Sequence, residues 1–269
     1  MQQRLFSMEE QTERALKRIR GYSEMALHKH PDGFYLAFSG GKDSVVVKHL
    51  LERAGVPFEA VYRCVGIDPP ELVQFIKKHH PAVVFDRPEM TFFAALLKEK
   101  IPPLRQVRWC CRILKEGGGA GRLVVTGVRW AESSRRAKRQ MMETCYMDGG
   151  KQYFHPILDW TDEDVWAYIR ENNVPYCNLY DNGYHRVGCL FCPMAPPRKR
   201  QQDAERYPRY VNTFKLYFQK VIETREAQGL KPIHGFSDAD DLWDWWISGV
   251  SERKHVEESD GGLFFPLVD

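Results

Sequence analysis

A short glycine turn between two apolar runs constrains this chain more than any other feature of its sequence. The apolar run at 34–38 leads directly into Ser39-Gly40-Gly41-Lys42-Asp43-Ser44, and a second apolar run begins at Val45. This pattern predicts a buried strand, a tight turn and a helix. The N–H groups and positive dipole end of such a helix favour a phosphate in the turn. Two adjacent glycines leave no Cβ atom to hold that phosphate away from the backbone.

The polar side chains of the turn suit the phosphates of a nucleotide. Ser39 and Ser44 supply hydroxyl donors, Lys42 supplies a point charge, and Asp43 is a candidate ligand for Mg²⁺. The spacing differs from the GxxxxGK[ST] loop of the common NTPases. A glycine-rich turn that binds nothing is the alternative interpretation.

The rest of the chain predicts an α/β fold with a doubly wound parallel sheet. Short apolar runs alternate with helical patterns as far as residue 127, which is typical of parallel strands covered by helices. We expect an N-terminal helix within 1–33, from the N-cap Ser7 to about Lys29. A nucleotide-binding domain is expected over 34–195, with its ligand at the carboxyl edge of the sheet. A helical region is expected over 196–269, and we expect its tryptophans to pack on the core.

Composition favours a cytoplasmic protein. No apolar run approaches the ~18 residues of a membrane span, and residues 1–6 lack the apolar core of a signal peptide. Seven cysteines without a secretion signal favour metal binding or thiols over a disulfide framework.

Charge is distributed unevenly along the chain. Residues 105–139 contain ten lysines and arginines but two acidic residues, whereas residues 235–269 contain nine acidic residues and two basic ones. The basic segment predicts an anionic ligand, either nucleotide phosphates or a nucleic-acid backbone. A solvated surface with scattered charge is the alternative.

The cysteines form a second strong pattern. Cys110-Cys111 precedes Cys189-x-x-Cys192 by 77 intervening residues. Four thiolates suit either Zn²⁺ or an iron–sulfur cluster, and tandem cysteines are unusual for zinc. A redox-active CxxC and a structural zinc knuckle remain open. Cys64, Cys145 and Cys177 are expected to be buried small hydrophobes, with Cys145 and Cys177 as reserve ligands should Cys111 not bind.

The motifs together resemble a known superfamily. The SGGKDS turn resembles the loop of the PP-loop ATP pyrophosphatases. The cysteine pattern resembles the [4Fe-4S] signature of the adenylyl-sulfate reductases, within the phosphoadenosine phosphosulfate (PAPS) reductase family. The segments at 127–136, 155–166 and 174–181 are similar to that family as well, so the resemblance spans about residues 34–195.

Two departures separate the chain from the sulfonucleotide reductases. Those enzymes have a degenerate loop without the lysine, whereas Lys42 is present here. They also use a nucleophilic cysteine near the C-terminus, whereas no cysteine follows Cys192. The chain is therefore more similar to the ATP-using branch, which includes DNA phosphorothioation and tRNA thiolation sulfurtransferases.

The resemblance implies an adenine nucleotide alpha hydrolase-like fold and a set of residue roles. An ATP pyrophosphatase would adenylate a substrate oxygen and support sulfur transfer through a [4Fe-4S] cluster held by Cys110, Cys111, Cys189 and Cys192, with zinc as the alternative. Lys42, Asp43, Arg129 and Arg136 would be catalytic. The nucleotide would be bound by Ser39, Gly40, Gly41, Lys42, Asp43, Ser44, Gly127, Glu132 and Ser133.

The expected partners follow from this chemistry. DNA or tRNA is the expected substrate, steered by Arg105, Arg108, Arg112, Arg135, Lys138 and Arg139, and a cysteine desulfurase or a reductant would supply sulfur or electrons. Two alternatives remain: a reductase of PAPS or adenylyl sulfate, and a nucleotide- or DNA-binding component of a modification or defence complex.

Overall fold

The computed structural model describes residues 7–145 and 150–249, which divide into two compact units. Unit 1 comprises Met1–Glu89 and Cys111–Cys189, and unit 2 comprises Met90–Cys110 and Leu190–Asp269. The division differs from the domain limits expected at 33/34 and 195/196, which stay a prediction. The acidic segment at 250–269 lies outside the described residues.

Unit 1 is built on a six-stranded sheet. Its strands in chain order are β1 (Phe34–Ala37), β2 (Phe58–Arg63), β3 (Val84–Asp86), β4 (Leu123–Val125), β5 (Met142–Cys145) and β6 (Lys151–Phe154). Their spatial order is β3-β2-β1-β4-β6-β5, and every pairing except β5 with β6 is parallel. The α/β doubly wound prediction is confirmed, because the chain leaves β1 first towards β2 and later returns to its other side as β4. The antiparallel edge strand β5 was not predicted.

Helices cover the sheet of unit 1. They are α1 (Met8–Gly21), α2 (Ser23–Lys29), α3 (Lys42–Ala54), α4 (Pro70–His79) and α7 (Asp162–Glu171). Ser7 caps α1 through a capping box with Glu10, as the sequence predicts for an N-cap. The single expected N-terminal helix is wrong in one respect, because the chain breaks at Tyr22 into two helices.

The main core of unit 1 lies against one face of the sheet. Leu36, Ala60 and Val125 occupy neighbouring register positions on that face and are buried with apolar side chains of the helices. Tyr35 and Val124, one position earlier in their strands, point to the opposite face and form a smaller cluster. Apolar residues on both faces explain why these strands read as continuous apolar runs.

Unit 2 is helical and has an aromatic core. Its helices are α5 (Phe92–Glu99), α8 (Pro197–Arg206), α9 (Pro208–Ala227) and α10 (Ala239–Ser248), while α6 (Trp109–Leu114) crosses the division. Phe214 of α9 stacks on Trp246 of α10 with ring centroids 5.5 Å apart, and the Trp246 indole N–H donates to Pro103 O at 2.8 Å. The tryptophans of α10 therefore serve packing, as expected.

An ion pair attaches α1 to the segment that precedes α7. Both terminal nitrogens of Arg18 donate to the Asp159 carboxylate, at 2.6 and 2.7 Å, and Arg18 also donates to Pro156 O at 3.0 Å. Although burial opposes the charge, the Arg18 guanidinium lowers the pKa of Asp159 below its usual 3.8. The stabilisation is therefore complete above the unfolded-state pKa and is lost as pH falls through the lower folded-state value.

We predict that Arg18→Ala and Asp159→Asn each lower the free energy of unfolding at pH 7 by about 1–3 kcal/mol, since each leaves a partly buried charged partner unsatisfied. Urea unfolding measures the change. Lys17→Ala, at an exposed position of the same helix, is the control and should change stability by less than about 0.5 kcal/mol. The role is refuted if Arg18→Ala matches Lys17→Ala, or if its deficit stays constant down to pH 3.

Candidate functional site

The strand order of unit 1 creates a crevice beside β1. Strands β2 and β4 pair with β1 on opposite sides, so the connections that follow β1 and β4 leave in different directions. Ligands of open α/β sheets bind at such switch points, outside the carboxyl ends of the strands. The segment 38–41 after β1 and the segment 126–129 after β4 flank this crevice.

The turn after β1 requires its glycine and is braced by its serines. Gly40 has φ +72°, and a Cβ atom there would lie 2.7 Å from Leu72 Cδ1. The Ser44 hydroxyl donates to Gly41 O at 2.9 Å and lies 3.1 Å from the Ser39 hydroxyl. Helix α3 then begins at Lys42 with no side-chain cap from Gly41. The turn is thus a preformed loop at a helix N-terminus, as the sequence predicts.

A second close backbone contact joins the two flanking segments. A Cβ atom on Gly127 would lie 2.9 Å from the backbone carbon of Asp43, so only glycine allows the segment after β4 to lie against the first turn of α3. Gly127 was predicted to bind the nucleotide. The structure shows a packing role that brings the two segments together.

Four charged side chains meet at this contact. Arg129, 1% exposed, donates through Nε to Asp43 Oδ1 at 2.8 Å, through Nη1 to Trp160 O at 3.2 Å and through Nη2 to Asp162 Oδ1. Lys42 Nζ donates to the same two carboxylates, at 3.2 Å to Asp43 and 3.1 Å to Asp162. Two cations and two carboxylates therefore form one closed network.

The network favours the charged forms of Asp162 and Arg129. Burial alone would raise the pKa of Asp162, but hydrogen bonds and charge from Lys42 and Arg129 lower it overall. For Arg129, burial works against the charge, yet Asp43 and Asp162 raise its pKa. Mg²⁺ in nucleotide sites is held by one or two carboxylates together with substrate phosphates. The Asp43 and Asp162 pair fits that requirement.

Asp162 was missed as a site residue. It is the first residue of α7, whose capping box is formed by the Thr161 hydroxyl and the Asp164 carboxylate. An acidic residue at a helix N-terminus is common for dipole reasons alone, so no local signal marks this one as functional. Its role depends on the packing of α7 beside α3.

Tyr180 is a second residue that the sequence did not single out. The Lys42 backbone N–H donates to its hydroxyl at 2.9 Å, which satisfies one of the free donors at the start of α3. Burial raises the pKa of Tyr180, so its phenol stays neutral at physiological pH. A neutral hydroxyl therefore lies directly against the turn.

Glu132 and Ser133, which were also predicted to bind the nucleotide, contact the two arginines of the site. Glu132 accepts from the Arg129 backbone N–H at 3.0 Å through Oε1 and pairs with Arg136 through Oε2. The Ser133 hydroxyl accepts from the Arg136 backbone N–H at 3.2 Å. Glu132 and Ser133 thus hold the two arginines in the structure, and direct nucleotide contact by either stays a prediction.

In unit 1, two of the four predicted metal ligands lie near one cation. The Lys115 ammonium is hydrogen-bonded to Cys189 and interacts electrostatically with Asp68 and Cys111. Burial opposes its charge, but these groups raise the pKa of Lys115 overall. The side chain of Lys115 is exposed to solvent. The Asp68 carboxylate also accepts from the Tyr62 hydroxyl.

The other two predicted metal ligands, Cys110 and Cys192, belong to unit 2. The Phe191 N–H donates to the fully buried Asp203 at 3.1 Å, and Arg105 Nε donates to Pro193 O at 3.1 Å, so both flanks of Cys192 are held. Cys110 lies in α6.

The cysteines do not by themselves form a metal site. Across residues 7–145 and 150–249, no group of three or more His, Cys, Asp or Glu side chains is arranged to hold a metal ion. All seven cysteines lie in these ranges and none is in a disulfide. The structure therefore does not assemble the predicted ligand set, and metal binding stays a prediction. Cys177 is buried as expected, whereas Cys64 and Cys145 are partly exposed.

No helix among the described residues combines the length and apolar character needed to cross a membrane.

The sequence predicts ATP binding at this turn, and we expect Gly127→Ala to weaken that binding at least about 10-fold, because the added methyl group must displace the first turn of α3 and with it Lys42 and Asp43. Equilibrium binding of a non-hydrolysable ATP analogue measures the effect. Gly21→Ala is the matched control, since nothing lies within 4 Å of the Cβ position there. Equal affinity of the two variants would contradict the role of this contact.

Several known proteins are similar to this chain. An uncharacterized protein of Methanocaldococcus jannaschii is 32% identical over 76% of the chain and 52% of the relative. A probable FAD synthase of Caenorhabditis elegans is 30% identical over 72% of the chain and 37% of the relative. The adenosine 5'-phosphosulfate reductase of Allochromatium vinosum is 28% identical over 61% of the chain and 69% of the relative.

The chain spans about half the length of the first two curated relatives that it matches. Residues 33–195, which include the sheet, the glycine turn and the Arg129 network, match the phosphoadenosine phosphosulfate reductase domain. This match covers more than half of the chain, and the chain therefore belongs to the phosphoadenosine phosphosulfate reductase domain family.

Proposed function

We propose that this chain is an ATP pyrophosphatase that adenylates an oxygen atom of its substrate and supports the transfer of sulfur to that substrate. The observation that carries the proposal is the network of Lys42, Asp43, Arg129 and Asp162 beside an intact SGGKDS turn. A nucleoside triphosphate carries more negative charge than a monophosphate or adenylyl sulfate, and it binds together with a metal ion. The lysine at this turn suits the triphosphate, and the carboxylate suits its metal ion.

The proposed role of each residue follows from its charge. The free N–H groups of the turn and α3 and the Ser39 and Ser44 hydroxyls bind the β- and γ-phosphates. Without ATP, Lys42 and Arg129 pair with the carboxylates of Asp43 and Asp162. When ATP binds, both cations interact with its phosphates as well. Asp43 and Asp162 are then available to hold Mg²⁺, which would neutralise phosphate charge.

The reaction is a displacement at the α-phosphorus. A substrate oxygen attacks the α-phosphorus, a new O–P bond forms, and the bond to the oxygen bridging to the β-phosphate breaks. The electron pair leaves with pyrophosphate, and the substrate oxygen carries the adenylyl group. Arg129 and Arg136 stabilise the negative charge that develops on the α-phosphate and the pyrophosphate, since preorganised cations act most strongly in a partly buried site.

We also propose that Cys110, Cys111, Cys189 and Cys192 bind a [4Fe-4S] cluster, with zinc as the alternative metal. This proposal rests on the sequence pattern, in which the tandem pair Cys110-Cys111 is followed by the CxxC motif at Cys189 and Cys192. The substrate is proposed to be nucleic acid, on the basis of the basic segment at 105–139.

A second candidate function is the reduction of a sulfonucleotide. The similarity to an adenosine 5'-phosphosulfate reductase over 61% of the chain and the tandem cysteines favour it. The two candidates differ in their need for ATP. Sulfite released from adenylyl sulfate with no ATP present would favour the reductase and contradict the adenylation reaction.

We predict that Lys42→Ala reduces pyrophosphate release from ATP by about 100-fold or more, because a cation that stabilises the transferring phosphates is lost. Bound iron should be unchanged, since Lys42 is not among the proposed metal ligands. A coupled pyrophosphate assay with acceptor nucleic acid, together with iron determination, measures both. Lys78→Ala removes an exposed lysine of α4 and serves as the control. Turnover by Lys42→Ala equal to that of Lys78→Ala would refute the loop assignment.

We predict about four irons and four acid-labile sulfides per chain after anaerobic purification, with broad absorbance at about 400 nm. Cys111→Ser and Cys189→Ser should lower both contents, whereas Cys64→Ser, at a cysteine outside the proposed set, should not. Zinc without sulfide would overturn the cluster and leave a structural metal site. The adenylation proposal would then stand without an iron–sulfur centre.

A further inference from the structure

An exposed tryptophan lies next in the chain to the most buried arginine of the nucleotide site. Trp130 is 44% exposed, whereas the preceding Arg129 is 1% exposed. The Trp130 backbone N–H donates to Leu158 O at 2.8 Å, and its indole N–H donates to Arg139 O at 2.7 Å. The ring is therefore held at its polar edge while much of its apolar surface faces solvent. A tryptophan held in this way offers a large aromatic face on which a ligand ring can stack.

The segment that holds this ring is a closed loop, which we name the Trp130 loop (residues 130–139). Its first part is the 3-10 turn Trp130–Glu132 and its second is the 3-10 turn Arg136–Lys138. The Ala137 N–H donates to Ser133 O at 2.9 Å, and the indole contact with Arg139 joins the two ends. Hydrogen bonds at both ends give the loop a defined conformation without any ligand.

The loop also presents positive charge. Arg135 and Lys138 are exposed, and within the described parts of the chain neither has a carboxylate partner. Arg139 pairs with Glu143 but keeps a half-exposed side chain. The other residues of the loop that face solvent are small or polar, namely Ala131, Ser133, Ser134, Ala137 and Arg139. One aromatic ring among cations, without an apolar patch around it, does not suit a hydrophobic protein partner.

The combination suits an unpaired nucleotide. Bases of single-stranded nucleic acid stack on aromatic side chains, and the adjoining phosphates pair with arginine and lysine. A duplex shields the faces of its bases by stacking, so it cannot use an isolated indole in this way. We propose that the Trp130 loop binds an unpaired nucleotide of the substrate, with the base on Trp130 and the phosphates on Arg135 and Lys138.

This inference rests on the proposed function and makes its substrate class more specific. A base on Trp130 would be bound by the residue next in the chain to Arg129, which contacts Asp43 and Asp162. The acceptor and the nucleotide would then be held by adjoining residues of one segment. The loop would thus select single-stranded or locally opened regions for adenylation.

The test is equilibrium binding of fluorescein-labelled 12-nucleotide single strands of mixed sequence, as DNA and as RNA, measured by anisotropy without ATP. Trp130→Ala should weaken binding of the preferred strand by about 5- to 100-fold, the usual loss for one stacked base. Trp130→Phe, which retains a ring, should restore most of the affinity. Arg135→Ala/Lys138→Ala should reduce the slope of log K against log salt by about 1.4, since each phosphate contact contributes about 0.7 for single strands.

Lys78→Ala is the charge control and should bind like the unchanged protein. The proposal is overturned if Trp130→Ala binds as tightly as this control, if a blunt duplex of the same sequence binds as tightly as the single strand, or if neither strand binds. ATP-dependent pyrophosphate release, measured in parallel on the unchanged protein, tests the proposed function separately. Binding of single strands through Trp130 with no pyrophosphate release would therefore contradict the proposed function while leaving the base-binding loop intact.

Discussion

The buried guanidinium of Arg129 is the interaction on which the candidate site of unit 1 depends. It joins the segment after β4 to Asp43 in the first turn of α3 and to Asp162 in the first turn of α7. A buried charge is costly unless its hydrogen bonds are satisfied, and here two carboxylates and Trp160 O satisfy them. Each carboxylate also lies at a helix N-terminus, where negative charge is favoured. The same network therefore positions the helices and favours the charged form of Arg129.

Close backbone approach is the second requirement of the site. Gly40 packs against Leu72, and Gly127 packs against the backbone of Asp43, at distances where a Cβ atom cannot be placed. Because glycine has no Cβ atom, these two residues let the turn after β1 and the segment after β4 meet at the switch point of the sheet. Tyr180 completes the arrangement by bonding the first N–H of α3.

The family fold supplies a nucleotide-binding edge but does not choose a reaction. Relatives of similar identity are named as a probable FAD synthase and an adenosine 5'-phosphosulfate reductase. Activity must therefore depend on the side chains placed around the shared edge. In this chain we propose that those are the Lys42 network and the Trp130 loop. The loop follows directly from Arg129, so nucleotide and acceptor binding would be coupled through adjacent residues.

Local signals account for what could be predicted from the sequence. The strand, glycine turn and helix around the SGGKDS motif and the N-cap Ser7 were predicted correctly, because hydrophobic period, turn chemistry and caps act over a few residues. The break at Tyr22 and the antiparallel β5 with β6 were missed, since neighbouring elements decide them. By itself the sequence determined the glycine turn between β1 and α3 with Lys42 and Asp43 in it, whereas phosphate binding there stays a prediction. Only the tertiary structure decided that Asp162 and Tyr180 join them, because the packing of α7 and of the segment after it brings residues more than 100 positions away to the start of α3.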